Sequence, residues 1–162
     1  MKRAMSSEAS TFVDLVRTHG PRLQRLAGSY ARGEDRRDLI QEMWLQVWRA
    51  LPGYRADAAL ATWVYRIALN TAFSHLRVEL RRRKHTTDAP APEPADPGGR
   101  DERAILHEFL GSLGPIDGSL MLLYLEGLSH AQMAEVLGLS EGAIGVRLTR
   151  IKAAFKRRYL EG

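Results

Sequence analysis

Residues 86–103 read TTDAPAPEPADPGGRDER, with four prolines, two glycines and no large apolar residue. Nothing in this stretch can build a core, and its Ala-Pro and Glu-Pro pairs favour extended backbone. A chain of 162 residues with such a break inside it is expected to fold as two units rather than one. The division is a module of residues 1–85, a linker of residues 86–103 and a module of residues 104–162.

Outside the linker, no segment alternates polar and apolar residues over strand length, and helical spacing dominates. The spacing predicts helices at 8–31, 35–51, 60–83, 102–112, 116–126, 129–137 and 140–159. Pro21 should interrupt the first. Pro52 and Gly53 mark the break between the second and third. The expected fold class is all-α, two small helical bundles on a flexible string.

Charge is uneven along the chain. Residues 1–85 hold 16 Lys/Arg against 8 Asp/Glu, a net of +8, while residues 86–103 hold 2 against 5, a net of −3. Residues 104–162 balance at 6 against 6, yet all six basic residues there lie between Arg147 and Arg158. Two separated basic concentrations suit two contacts with a polyanion.

Several function classes find no support. There is no run of about 18 apolar residues, so no membrane span is expected. The opening MKRAMSSEAS lacks an apolar segment behind its basic residues, so no secretory leader is expected. The absence of cysteine excludes disulfides and thiolate metal sites and fits a cytoplasmic protein. The five histidines are scattered, and none has metal-ligand spacing with acids. No catalytic constellation is visible, so neither an enzyme, a metal, a cofactor nor a small-molecule substrate is expected.

Residues 127–151, GLSHAQMAEVLGLSEGAIGVRLTRI, carry start and stop chemistry for two helices. Ser129 and Gln132 have the spacing of a capping box, and Met133, Ala134 and Leu137 form the apolar side behind them. Gly138 can stop that helix in the left-handed conformation. Ser140 caps the next, whose apolar row is Ile144, Leu148 and Ile151. Short helix, glycine turn, second helix: this is a helix-turn-helix pattern.

The face opposite Ile144 and Leu148 carries Gly142, Val146 and Thr149, flanked by Gly145 and Arg150. A glycine inside a helix costs roughly 1 kcal/mol relative to alanine, so two within one turn call for a reason. Close approach of DNA to the backbone at a helix N-terminus supplies one. Thr149 and Arg150 have the chemistry to meet base edges or phosphates. Arg147, Lys152, Lys156, Arg157 and Arg158 suit phosphates. A plain helical hairpin with a solvated basic face is the alternative.

In the first module, residues 34–49 form an amphipathic pattern with Ile40, Met43, Trp44 and Val47 on one side. Asp38, Gln41, Glu42 and Gln46 lie elsewhere, with Trp48 toward the boundary, which suits either a solvated face or a protein-docking surface. In residues 53–77, Tyr65, Leu69, Ala72, Phe73 and Leu76 make a core row. Trp63, Arg66, Asn70 and Ser74 fall on the other side, Arg77 follows a turn later, and Tyr54 and Arg55 precede the helix. An aromatic beside Arg and Asn can stack on and hydrogen-bond an unpaired base. Half-buried packing of Trp63 is the alternative.

The segments DLIQEMWLQVW (38–48), ATWVYRIALNTAFSHLR (61–77) and GLSHAQMAEVLGLSEGAIGVRLTRIK (127–152), in that order, resemble bacterial sigma factors of the extracytoplasmic-function type. The resemblance spans about 12–83 and 105–159. It implies two helical domains, region 2 and region 4, that bind core RNA polymerase through its β′ clamp helices and β flap and direct it to promoter DNA. Asp38, Gln41, Glu42 and Trp48 match the polymerase-docking positions. Tyr54, Arg55, Trp63, Arg66, Asn70 and Arg77 match the segment that opens the −10 element and captures flipped bases. Ser140, Glu141, Gly142, Gly145, Val146, Arg147, Thr149 and Arg150 match the helix that reads the −35 element. An anti-sigma factor is a common further partner.

Three positions depart from the family pattern. Ser74 stands where Asp is common, residues 114–120 lack the usual Arg, and Gly145 replaces a more usual polar residue. These bear on promoter detail rather than on fold, and shape readout can compensate for fewer base-reading side chains. No further C-terminal domain is expected. Two rival functions remain on the sequence: a helix-turn-helix regulator that acts without core polymerase, and a helical protein-interaction adaptor.

Overall fold

The computed structural model describes residues 2–56, 59–85 and 102–161. The greater part of the expected linker, 86–101, lies outside the described residues. Seven helices carry the fold among those described: α1 (Lys2–Gly28), α2 (Gly33–Ala50), α3 (Leu60–His85), α4 (Glu102–Ser112), α5 (Pro115–Leu125), α6 (His130–Leu137) and α7 (Glu141–Tyr159). A single 3-10 turn, Leu51–Gly53, follows α2. No described helix is long and apolar enough to cross a membrane.

Pro21 does not interrupt the first helix: α1 runs through it without a break. A proline inside a helix costs about 3 kcal/mol or more through a lost hydrogen bond and a clash with the preceding turn. Leu15 lies before Pro21 and Leu23 and Leu26 after it, all buried on one face. Each buried leucine contributes about 1.5–3 kcal/mol. Tertiary packing on both sides therefore outweighs the local penalty, and Pro21 itself faces solvent.

The buried stripe of α2 is Leu39, Met43 and Val47, at spacing i, i+4, i+8. The expected stripe included Ile40 and Trp44, which instead sit half-buried at its edge. Helix α3 buries Thr62, Val64, Tyr65, Ala68, Leu69 and Ala72 and packs against α1, α2 and α6. Phe73 and Leu76, expected in its core row, are half-buried.

In the second module, α5 buries Leu120, Met121 and Leu123, and α4 contributes Phe109, whose ring meets Phe155 of α7 edge-on at 5.1 Å. Met133 and Val136 of α6 and Ile144, Leu148 and Ile151 of α7 complete it.

The two bundles are as the sequence suggests, but they dock on one another rather than hanging apart. Glu126, just beyond α5, takes one arginine of α1 on each carboxylate oxygen. Arg22 Nε lies 2.9 Å from Oε2, and Arg25 Nε donates to Oε1 at 3.0 Å. The Tyr30 hydroxyl, after α1, donates to the Pro115 carbonyl at 3.0 Å and pairs with the Ser119 hydroxyl. Burial pushes the Tyr30 phenol up to about 12, so it remains a neutral donor at ordinary pH. None of these pairs is visible in sequence periodicity, because their partners lie in different modules.

Two outcomes follow. Replacing Glu126 with Ala should leave helix content unchanged by circular dichroism and enlarge the radius of gyration in small-angle scattering; an unchanged radius would show that the ion pairs do not hold the modules together. His19 is buried with its Nδ1 unpartnered, and burial first, then the Arg22 charge, lowers its pKa below 6.5. The unfolded chain then binds a proton that the folded chain resists. Its contribution to stability is present above pH 6.5 and is lost as pH falls through the folded value. Urea denaturation at pH 7.5 and pH 5 should show a larger loss in wild type than in His19→Phe.

Candidate nucleic-acid interface

The helix-turn-helix is built by the chemistry its sequence announced. Gln132 N–H donates to Ser129 Oγ at 3.2 Å and Ser129 N–H donates to Gln132 Oε1 at 2.9 Å, closing the capping box of α6. Gly138 ends α6 with φ 67°, in the left-handed region. Ser140 Oγ accepts from Ala143 N–H at 3.1 Å and caps α7. With Ile144, Leu148 and Ile151 buried, the opposite face of α7 is open: Glu141, Gly142, Val146, Thr149 and Arg150 are exposed, Val146 at 69%.

The two glycines of α7 differ. Gly142 lies in open space, where an added Cβ would meet nothing within 4 Å. Gly145 is half-buried, and a Cβ there would meet the His130 ring of α6 at 3.9 Å, an ordinary contact. Neither has the positive φ that demands glycine. The fold therefore requires neither one.

Five of the six basic residues of α7 are engaged within the protein. Arg147 Nη1 lies 2.7 Å from Asp117 Oδ1 and Arg150 Nη2 3.5 Å from Asp117 Oδ2. Lys152 Nζ sits 3.9 Å over the Tyr124 ring. Arg158 meets Glu108 at 2.6 Å, and Lys156 meets Glu161 at 3.4 Å. The Thr149 hydroxyl donates to the Gly145 carbonyl at 2.9 Å, which leaves its lone pairs outward. The acids Asp117 and Glu108 and the ring of Tyr124 are distant in sequence, and sequence reasoning missed them.

In the first module, Asp38, Gln41 and Glu42 are exposed on α2. Glu42 Oε1 accepts from Gln46 at 2.6 Å. Trp48 keeps 40% exposure although its ring packs edge-on against Phe12 of α1 at 5.1 Å. A groove between α2 and α3 is lined by Asp38, Glu42, Gln46, Asn70 and Ser74. The structure thus brings Asn70, two turns along α3 from Trp63, beside the polar residues of α2.

Trp63 is half-buried, its ring 5.0 Å from that of Tyr54 with the planes tilted by 52°. The two aromatics form one platform at the start of α3. Arg55 and Arg66 are exposed near it in sequence, and Arg77 lies further along α3, where its Nε donates to the Phe73 carbonyl at 3.4 Å. Ala56, next to Arg55, holds φ 58°. That conformation costs an alanine roughly 1–2 kcal/mol, and local strain of this kind gathers at functional loops. No sequence signal marked it.

Two family models match the chain: sigma-70 region 2 over residues 15–82, and sigma-70 region 4 over residues 103–162. This chain belongs to the sigma-70 family of sigma factors. It is 28% identical over 175 residues to the ECF RNA polymerase sigma-E factor of Escherichia coli K12, covering 98% of this chain and 91% of that one. The Haemophilus influenzae protein of the same name is 24% identical over 174 residues, covering 98% and 92%. Among solved structures, the fold matches the sigma factor RpoE of Bartonella quintana in complex with the anti-sigma factor NepR, with TM-score 0.75, 20% identity and coverage of 91% and 95%. It also matches CnrH in complex with the cytosolic domain of CnrY, with TM-score 0.69, 26% identity and coverage of 96% and 92%. The protein is an alternative sigma factor that binds core RNA polymerase and promoter DNA and directs transcription initiation.

In this sigma factor, Gly142→Ala should stabilise α7 by up to about 1 kcal/mol, read as a raised thermal midpoint. If DNA approaches the backbone at this glycine, the same substitution should weaken transcription from its promoters, because the added methyl group would stand in the way. A variant that is both more stable and fully active would remove that explanation of the glycine.

Proposed function

We propose a residue-level division of labour for this sigma factor. Residues 1–85 form the unit that docks on polymerase and opens the −10 element, residues 104–162 form the unit that reads the −35 element, and 86–103 joins them. Asp38, Gln41, Glu42 and Trp48 meet the β′ clamp helices through the exposed side of α2. Their support is exposure that the packing of the bundle does not require. Asp38 and Gln41 face solvent, and the indole of Trp48 stays partly bare.

The Tyr54–Trp63 platform stacks on a base displaced from the duplex, with Arg55 and Arg66 holding its backbone. Stacking on an aromatic is worth about 1–3 kcal/mol per base. Asn70 and Arg77 extend this track along α3. Ser140, Glu141, Gly142, Gly145, Val146, Arg147, Thr149 and Arg150 form the duplex-reading end of α7, with its backbone N–H groups toward phosphate. The open, capped N-terminus of α7 is the observation that carries this reading.

The region 4 unit also rests on the β flap, and the sigma factor works in the cytoplasm, where core polymerase is. An anti-sigma partner is part of the proposal, supported by two structural relatives, one solved in complex with an anti-sigma factor and the other with the cytosolic domain of CnrY.

Reconstitution with bacterial core RNA polymerase tests the whole. Run-off transcription from a promoter library should yield transcripts with wild type and fall at least tenfold with Trp63→Ala or Arg150→Glu. Asp38→Arg should lose core polymerase in a pull-down. Transcription that survives both DNA-side substitutions would defeat the residue assignment, and a wild-type protein that starts no transcript would defeat the function.

A further inference from the structure

We propose that Asp117 is a specificity-determining residue of the duplex-reading surface. Its carboxylate aims Arg147 and Arg150 and withholds positive charge from DNA of the wrong sequence. This rests on the reading that α7 enters the duplex.

Asp117 lies outside the helix-turn-helix, in the first turn of α5. Each of its oxygens faces a different arginine of α7: Oδ1 takes Arg147 at 2.7 Å, and Oδ2 lies 3.5 Å from Arg150. The two arginines are three residues apart, so they stack on one side of the helix and a single carboxylate spans them. The Asp117 side chain is 23% exposed and that of Arg147 32%, so the pair is partly shielded from water and salt. Neighbouring Tyr124, on the same helix α5, holds Lys152 by its ring. The side of α5 toward α7 is thus a template on which cations of the reading helix are set.

Two consequences follow from the chemistry. A guanidinium offers five N–H donors in a rigid plane. Pinning one edge of Arg147 to Asp117 fixes the direction in which the remaining donors point, so an acceptor pair in the matching place is met without reordering the side chain. A random duplex offers mainly phosphates. To use Arg147 or Arg150 fully, those phosphates must pull them from Asp117 and approach a carboxylate of like charge. The trio presents a net charge of one, not two. Asp117 therefore weakens indiscriminate binding more than it weakens binding to the matched element.

The test uses the full chain with Asp117→Asn, which keeps the shape and removes the charge, and Asp117→Glu, which keeps the charge. Binding to a short random-sequence duplex is followed against salt by fluorescence anisotropy. Asp117→Asn should steepen the slope of log affinity against log salt by about 0.9, the value of one added phosphate contact. It should tighten binding to the random duplex several-fold at low salt. In reconstituted holoenzyme, random duplex should then compete more effectively against a promoter that wild type transcribes, while Asp117→Glu stays near wild type.

A purely structural carboxylate, favourable at the start of α5 through the helix dipole, would instead lower the thermal midpoint and leave the salt slope and the competition unchanged. That result overturns the proposal. If wild type transcribes and only Asp117→Asn behaves as wild type, the fault lies with Asp117. If wild-type holoenzyme starts no transcript and charge reversal at Arg150 leaves duplex binding unaltered, the duplex-reading role of α7 falls and this inference with it.

Discussion

Helix α3 is the constraint on which both halves of the molecule depend. It packs against α1 and α2 within its own bundle and against α6 of the other. Its buried positions alternate bulk and small size, with Tyr65 and Leu69 beside Ala68 and Ala72, so that neighbouring helices interdigitate closely. A helix held from several sides presents its remaining side chains in fixed directions. Arg66, Asn70 and Arg77 are among the side chains that α3 leaves exposed, and the Tyr54–Trp63 platform sits at its start. The surface proposed to capture a displaced strand is thus a by-product of how tightly α3 is enclosed.

Two acidic residues play matching parts at a distance from one another. Glu126 receives Arg22 and Arg25 of α1, and Asp117 receives Arg147 and Arg150 of α7. Each carboxylate divides its oxygens between two guanidiniums. The first arrangement joins the modules, and the second joins the reading helix to the helix behind it. In both, arginines that the sequence shows only as surplus positive charge have intramolecular partners. The 24 Lys and Arg of the chain therefore overstate the positive charge that it offers freely to DNA.

Much of the fold was legible because its signals are local. The capping box at Ser129, the left-handed stop at Gly138 and the serine cap at Ser140 each depend on residues within four positions, and all three form. The helix ends fell within a few residues for the same reason, except at α1, which begins well before the expected start. The misses are nonlocal. Pro21 reads as a break until the buried leucines on both sides of it are counted. Trp63 reads equally as a stacking surface or as half-buried packing until Tyr54 is seen against it. Arg147 reads as a phosphate ligand until Asp117, thirty positions earlier, closes on it. Periodicity gives the face on which a side chain lies, and a long-range charge pair decides whether that side chain is at liberty.

These pairings bear on why such a protein needs a large partner. An arginine that leaves a carboxylate for a phosphate exchanges one ionic contact for another, so the net gain per DNA contact is small, much as exposed ion pairs contribute only about 0–1 kcal/mol. Several such contacts on a small module give weak binding, strongly dependent on salt. Core polymerase changes the arithmetic without adding a single base contact. Once one module is placed, the other is confined near its element, and the second contact forms at a high effective concentration. Weak, partly self-satisfied DNA contacts then favour selectivity. On the proposed reading, the free protein would not linger on arbitrary sequence, and only a promoter that satisfies both modules at the spacing set by the polymerase would recover the full sum.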